Sequence, residues 1–293
     1  MFPTIPMQKA TVKQIYVTVN VMGGLGNQLF EIFHMLSYAF TYDAPFYLPH
    51  QVDQGRPDRP FYWTNILRSL QSFFIKPPSY YNCKTHHIRE EGFHYTQPCS
   101  PDQILKNKNT QEDTQEDHPC HIIHFLGHYQ SYKYFANNFE KIVSFLNLRD
   151  HQMSVQAKYG DKYNYHDSIS FHFRIGDYKK VGPGCHPLTP IKYYTNALVY
   201  IMSHIPSYKP PPTQVLYFYE SQDEQMVLQH IETLQDDDKL KEYGLTYIPI
   251  DHHISDYEQM MIMSLCSHNV IPNSTFSWWG AYLNTNMEKI VTY

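Results

Sequence analysis

The chain is short of several features that would assign it to a class at once. Lys and Arg together number 23 against 28 Asp and Glu, a formal charge of −5, and no dense basic block occurs. Without such a block the electrostatic footprint of a sequence-independent nucleic-acid binder is missing, so DNA and RNA are not expected partners. The 5 cysteines (Cys83, Cys99, Cys120, Cys185 and Cys266) are odd in number and show no C-x-x-C spacing. Neither a zinc site nor a dense disulfide frame is expected, and a reducing compartment fits best. The sequence has no charged leader followed by an apolar core, and no run approaches the roughly 18 apolar residues that span a bilayer. The expectation is a soluble, cytoplasmic protein with no membrane anchor.

What the chain has is tyrosine, 26 of 293 residues, and a regular alternation of strand and helix patterns in its second half. Tyrosine joins a flat apolar face to a hydroxyl, the combination that sugar-binding surfaces use. The length suits two domains of ordinary size.

Near the N-terminus, residues 14–21 alternate β-branched and polar side chains and run into Met22-Gly23-Gly24-Leu25-Gly26-Asn27-Gln28. Leu29, Phe30, Ile32, Phe33, Leu36, Ala39 and Phe40 then recur at helical spacing, which predicts strand, glycine turn and helix. Such a turn either cradles an anion or simply makes a tight strand-to-helix connection. It is neither a Walker loop nor G-x-G-x-x-G.

From Tyr42 to about Cys120 periodicity weakens. The tandem Thr110-Gln-Glu-Asp and Thr114-Gln-Glu-Asp reads as a solvated, mobile loop. Residues 122–126 predict a strand and 132–148 a helix; the polar segment 157–167 marks a domain boundary. Beyond it, strands are expected at 168–173, 214–219, 245–249, 268–272 and 288–292. Helices are expected at 190–204, 222–235, 257–266 and 275–285, the Ser221/Glu224 pair forming a capping box. The alternation defines α/β architecture with a doubly wound parallel sheet.

In parallel sheets, residues after the strands collect at one edge, where ligands bind. That edge gathers Arg174, Asp177 and Tyr178; Glu220, Ser221 and Asp223; Asp251, His252 and His253; and Asn273, Ser274 and Thr275. Arg174 is placed to meet an anion, and Asn273-Ser274-Thr275-Phe276-Ser277 opens a helix whose amides can receive phosphate. An arginine, a helix terminus and a glycine turn converging on one pyrophosphate point to a nucleotide donor, because a leaving diphosphate needs fixed positive charge. Asp236-Asp237-Asp238 contains a D-x-D but falls at the opposite, amino-terminal edge, so no metal ligands are assigned.

Gly23-Gly24-Leu25-Gly26-Asn27-Gln28-Leu29-Phe30, His172-Phe173-Arg174-Ile175-Gly176-Asp177-Tyr178 and Asn273-Ser274-Thr275-Phe276-Ser277-Trp278-Trp279-Gly280 together resemble the α-1,2-fucosyltransferases. The resemblance implies a GT-B-like fold of two Rossmann-like domains facing a cleft. It implies residues 1–164 as an acceptor-side α/β domain and 165–293 as a domain binding GDP-L-fucose. The implied reaction is metal-independent, inverting transfer to the 2-hydroxyl of a galactose-terminated glycan, with GDP-L-fucose a co-substrate and no cofactor.

Position by position, Arg174 matches the arginine that meets the β-phosphate and His172 the histidine beside the nucleotide. Asp223 is the loose match to an aspartate that accepts from guanine. Asn27, with Gly24, Gly26 and Gln28, would face the diphosphate and fucose across the cleft; Asn273, Ser274, Thr275 and Ser277 would lie near the phosphates. Asp177 reads equally as general base or as orienter of Arg174. Ile175 replaces a second arginine common in the family and, on an alternating strand end, should point away from Arg174. Animal family members are membrane-anchored, so the chain looks like a bacterial or viral member. The alternatives are a different acceptor, glycan or protein, and a non-catalytic glycan- or nucleotide-binding protein on the same scaffold.

Overall fold

The computed structural model describes residues 14–49, 60–74, 82–92, 94–106, 118–181 and 187–293. The acidic tandem at 110–117 and Cys185 lie outside the described residues.

Two compact units divide the chain, Met1–Leu146 and Asn147–Tyr293. In the first, β1 (Gln14–Val19) leads through the glycine turn into α1 (Leu25–Thr41), followed by β2 (Cys83–Arg89), α2 (Pro101–Lys106), β3 (Cys120–Leu126) and α3 (Phe139–Phe145). The three strands form a parallel sheet in the order β1-β3-β2. Central β3 carries the apolar run Ile122-Ile123, buried as a strand covered on both faces must be, whereas edge β2 alternates between half-buried and exposed. That weak pattern hid β2 within the irregular stretch. The α1 helix starts four residues earlier than the apolar spacing predicts and is buried from Leu25 to Ala39 except at Asn27, a core helix.

In-register pairing sets Cys83 opposite Cys120, Cα atoms 4.4 Å apart, and the two form a disulfide. The sequence reading, which expected no dense disulfide frame, did not single out this pair. Residues 37 apart in sequence meet only because β2 and β3 are neighbours.

The second unit runs α4 (Leu148–Tyr159), β4 (Ser168–His172), α5 (Tyr178–Val181), α6 (Ile191–His204), β5 (Gln214–Phe218), α7 (Glu224–Asp236), α8 (Asp238–Lys241), β6 (Thr246–Pro249), α9 (Asp256–Leu265), β7 (His268–Val270), α10 (Thr275–Leu283) and β8 (Val291–Thr292). All five strands are parallel in the order β6-β5-β4-β7-β8. The chain winds outward from β4 in one direction and then the other, so the strand order reverses between β4 and β7. In doubly wound sheets the ligand crevice opens at that switch point, beyond the carboxyl ends.

Three sequence expectations change. The helix expected at 132–148 is two short 3-10 turns, then α3, ending where Asn147 takes the left-handed φ of +57° and α4 begins. The units therefore divide at 146/147 rather than 164/165. Helix α4 packs on α9, and buried Gln152 donates to Ser264 Oγ at 2.6 Å and to the Leu283 carbonyl at 3.1 Å. Finally, Ser221 and Glu224 form no capping box, because residues 221–223 wind as a 3-10 turn and Asp223 becomes the N-cap of α7. Ser255 and Glu258 make the real box, at α9. Asp236-Asp237-Asp238 ends α7 before β6, and Asp237 caps α8 by accepting from the Lys239 amide.

Candidate active site

The carboxyl end of β4 is built around the residues that follow it. Phe173 and Ile175 turn inward and are buried in the apolar core of the unit with Tyr194 and Tyr217. Arg174, between them, points the other way and keeps 20% of its side chain exposed. The alternation expected of a strand end therefore holds: Ile175 occupies core, and a second arginine there would have to bury its charge.

The Arg174 guanidinium donates to Glu220, which follows β5, and to Asp177, with which it also pairs electrostatically. It lies 4.8 Å from the centre of the Tyr178 ring, a cation–π contact. The Tyr178 hydroxyl donates to the Asn273 carbonyl at 2.9 Å, tying the turn after β4 to the loop after β7 across the switch point.

Gly176 has φ +32°, and a Cβ there would come within 2.8 Å of Glu220. Beneath the turn, Asp223 is 2% exposed and accepts from the Gly176 amide at 2.6 Å and from Lys179 Nζ at 2.7 Å. Both its oxygens are engaged within the chain, so in this structure Asp223 pins the turn that carries Arg174. Asp177, as partner of Arg174, has the geometry of an orienter.

His172, the last residue of β4, is buried, and its Nδ1 has no partner. Burial, reinforced by Arg174, holds its pKa down to about 3, so the imidazole is neutral. Its ring lies 5.6 Å from that of Phe276, in the first turn of α10. At that helix start the Ser274 side chain makes no cap bond, Asn273 is exposed, Ser274 and Thr275 are half-buried, and Ser277 is buried. Trp279 is core, whereas Trp278 is half-buried and stacks on Tyr282. Asp251 and its neighbours engage elsewhere: Asp251 pairs with Lys162, and His252 packs edge-on against Tyr219.

In the first unit the glycine turn forms as expected. Gly23 has φ +77°, Gly24 is the extended N-cap of α1, and nothing lies within 4 Å of the place a Gly24 Cβ would take. Gly24 is therefore open to close approach by a ligand. Gln28 is fully buried and spans the turn, its Nε2 donating to the Gly23 and Pro60 carbonyls, each at 2.9 Å. Asn27 accepts from Gln130 at 3.1 Å.

One turn along α1, fully buried Glu31 accepts the Met22 amide at 2.8 Å and meets His128 Nδ1 at 2.9 Å. Burial lifts the Glu31 pKa to about 7, and the hydrogen bond that His128 donates to Glu31 lifts that of His128. The segment after β3 is fixed by Glu90, which accepts the His128 and Tyr129 amides at 2.8 and 2.9 Å. Gly127 is required there: its φ is +153°, and a Cβ would meet the Glu90 side chain at 2.4 Å.

Sequence reasoning passed over Glu31 and His128. The signals were a lone carboxylate inside the apolar run Leu29–Phe33 and a histidine two residues beyond a central strand. Among the described residues no three His, Cys, Asp or Glu side chains gather as a metal site.

The fold is α/β and GT-B-like, with a cationic turn at the switch point of the second sheet. The sequence pattern of glycosyl transferase family 11 matches residues 98–292, two thirds of the chain, and the chain belongs to that family. It is 32% identical over 133 residues to the O-antigen biosynthesis glycosyltransferase WbnK of Escherichia coli, covering 43% of this chain and 37% of that protein. It is 26% identical over 167 residues to an Escherichia coli alpha-1,2-colitosyltransferase, covering 55% and 51%. The chain thus spans between about a third and a half of the length of the curated relatives it matches. The fold is also that of POFUT1, solved in complex with GDP-fucose, with a TM-score of 0.51 at 13% identity over 95% of this chain and 97% of that one. No helix among the described residues is long and apolar enough to cross a membrane.

Proposed function

We propose that this chain transfers L-fucose from GDP-L-fucose to the 2-hydroxyl of a terminal galactose-type residue of a glycan, with inversion and without a metal. The observation that carries the reading is Arg174 at the switch point of the second sheet, oriented by Asp177 and Glu220 within the stretch matched by the family. Its guanidinium supplies fixed positive charge for a diphosphate that gains negative charge as it leaves. Glu220, 46% exposed, can swing into water and yield its place on Arg174 to a phosphate. Neutral His172 and the start of α10 border the same turn and supply uncharged donors. Gly24 and Asn27 offer a second close-approach surface in the first unit.

The 1,2 linkage is supported by the relative that acts as an alpha-1,2-colitosyltransferase, and the nucleotide sugar by the POFUT1 complex with GDP-fucose. The colitosyltransferase also favours a second reading, in which the linkage is kept and a colitosyl group replaces fucose. Location in the cytoplasm belongs to the proposal too, and a retained Cys83–Cys120 disulfide in protein taken from the cell would argue for an oxidising compartment instead.

The test is GDP release by purified protein in EDTA, from GDP-L-fucose, GDP-colitose and GDP-mannose, with and without β-galactosides. Acceptor-dependent release from GDP-L-fucose, lost in Arg174→Ala, is expected. Release only from GDP-colitose selects the second reading. GDP binding without release from any donor sinks both.

A further inference from the structure

A guanidinium carries a single positive charge, and at the switch point of the second sheet Arg174 faces two negative ones. Among the described residues its ion pairs are with Asp177 on one terminal nitrogen and with Glu220 on the other. The cluster is therefore negative overall, and an arriving diphosphate meets repulsion from the carboxylates as well as attraction to the cation. One carboxylate has to leave before an anion can take its place on Arg174.

The two carboxylates are not held alike. Asp177 lies three residues beyond Arg174, in a turn that buried Asp223 pins from below through the Gly176 amide and Lys179. Its short side chain has little reach away from the guanidinium. Glu220 comes from the end of β5, and its longer side chain lies over Gly176. The missing Cβ makes that seat, since a methyl at Gly176 would come within 2.8 and 2.9 Å of the two Glu220 carboxylate oxygens. While Oε1 faces Arg174, Oε2 accepts from Gln222 Nε2 at 2.7 Å, and Gln222 is exposed. Beyond Arg174 and Gln222 the carboxylate has no partner among the described residues, and 46% of the side chain meets solvent. A group held in this way leaves at small cost, because water and the exposed Gln222 amide receive it.

We propose that Glu220 is a built-in competitor for Arg174. It neutralises the guanidinium while the site is empty, yields to the diphosphate of an incoming donor, and returns as the diphosphate product departs. The inference rests on the glycosyl-transfer reading, which brings a diphosphate to Arg174. Asp177 stays in place throughout and keeps the guanidinium oriented. Because one anion replaces another on the same cation, the net gain is smaller than that of a phosphate meeting an unpaired arginine. Diphosphate consequently binds more weakly and leaves faster, and where product release limits turnover such competition favours kcat at the expense of KM.

The experiment measures the affinity for GDP and for inorganic pyrophosphate, and acceptor-dependent GDP release, in wild type, Glu220→Gln, Glu220→Ala, Arg174→Ala and the double variant Arg174→Ala with Glu220→Gln. Removing the competing charge should tighten GDP and pyrophosphate about fivefold in both Glu220 variants, the upper end of the scale for an exposed ion pair. The gain should vanish in the Arg174→Ala background, as a double-mutant cycle on one contact requires. In turnover, KM for the donor should fall and inhibition by GDP should strengthen, with kcat no higher than in wild type. Two results overturn the proposal while leaving glycosyl transfer standing: unchanged or weaker affinity for both anions in the two Glu220 variants, as expected of a residue that only orients Arg174, or a gain that survives in the Arg174→Ala background. A wild type that binds GDP but turns over no donor removes the glycosyl-transfer reading, and the binding cycle then judges the exchange at Arg174 by itself.

Discussion

The two units place opposite chemistry at equivalent positions, the carboxyl ends of their parallel sheets. In the second, a cation restrained by two partly exposed carboxylates stands at the switch point, with a buried aspartate locking the turn from below. In the first, the buried charge is a carboxylate, and the group left reachable is an imidazole. A guanidinium offers an anion a fixed charge, whereas His128, hydrogen-bonded to Glu31, holds its proton to higher pH than a free imidazole does.

The largest test of this contrast is Arg174→Ala. Loss of one charge aimed at the leaving group should cost about 3–4 kcal/mol of transition-state stabilisation, or 10²–10³ in kcat, by analogy with an oxyanion-hole donor. Turnover within tenfold of wild type would remove the cationic edge from the chemistry. Next in size, reduction of Cys83–Cys120 should destabilise the first unit by about 3 kcal/mol, since it opens a 37-residue separation. Hydrogen exchange of β2 and β3 should accelerate while β4 and β5 stay protected, and a uniform change across both sheets would contradict this.

Asp223→Ala leaves Lys179 and the Gly176 amide without their partner and should cost about 2–3 kcal/mol in urea unfolding, with GDP affinity falling as the Arg174 turn loosens. Unchanged stability would show that the buried contacts are replaced by water.

Acid sensitivity should separate the units by a smaller amount. In the folded state His172 has its pKa lowered from 6.5 to about 3, so below pH 6.5 the unfolded chain binds a proton that the native state refuses. The stability it supports is present above pH 6.5 and falls by about 1.4 kcal/mol per pH unit as pH drops toward 3. His34 acts in the same sense in the first unit, also with a pKa of about 3. There, however, Glu31 opposes it: its pKa is raised from 4.5 to about 7, and the native state keeps a proton that the unfolded chain has released. Between pH 4.5 and 6.5 the two slopes run against each other. Unfolding at pH 5 and 6.5 should therefore show a smaller pH slope in His172→Asn than in wild type, and an unaltered slope would refute the assignment.

The smallest effect is expected at Gly24→Ala. With φ at −76° and nothing within 4 Å of the added methyl, stability should change by less than about 0.5 kcal/mol. Any loss of GDP affinity in that variant would then report a ligand pressed against the turn.

The second unit was legible because its central strands β4, β5 and β7 are buried on both faces and alternate with amphipathic helices, a pattern that local sequence carries by itself. Its strand-end rule also brought Arg174, Asp177, Glu220, Asp223 and Asn273 to one edge before any contact was seen. The role of Asp223 was not legible, because its partners, the Gly176 amide and Lys179, are 47 and 44 residues away. The first unit hid more. Edge strand β2 is half-exposed and histidine-rich, and helix α3 is set off by a left-handed Asn147 that no apolar period announces.

The sequence by itself determined the α/β class, the glycine turn, the order of the second sheet's elements and the place of Arg174, because hydrophobic period and strand ends are local properties. Only the tertiary structure decided that Cys83 meets Cys120, that Glu31 is buried against His128 and that Ile175 faces core while Arg174 does not bury its charge. Each of those depends on which strands become neighbours and which side of a strand or helix loses water, and both are settled only when the sheets close.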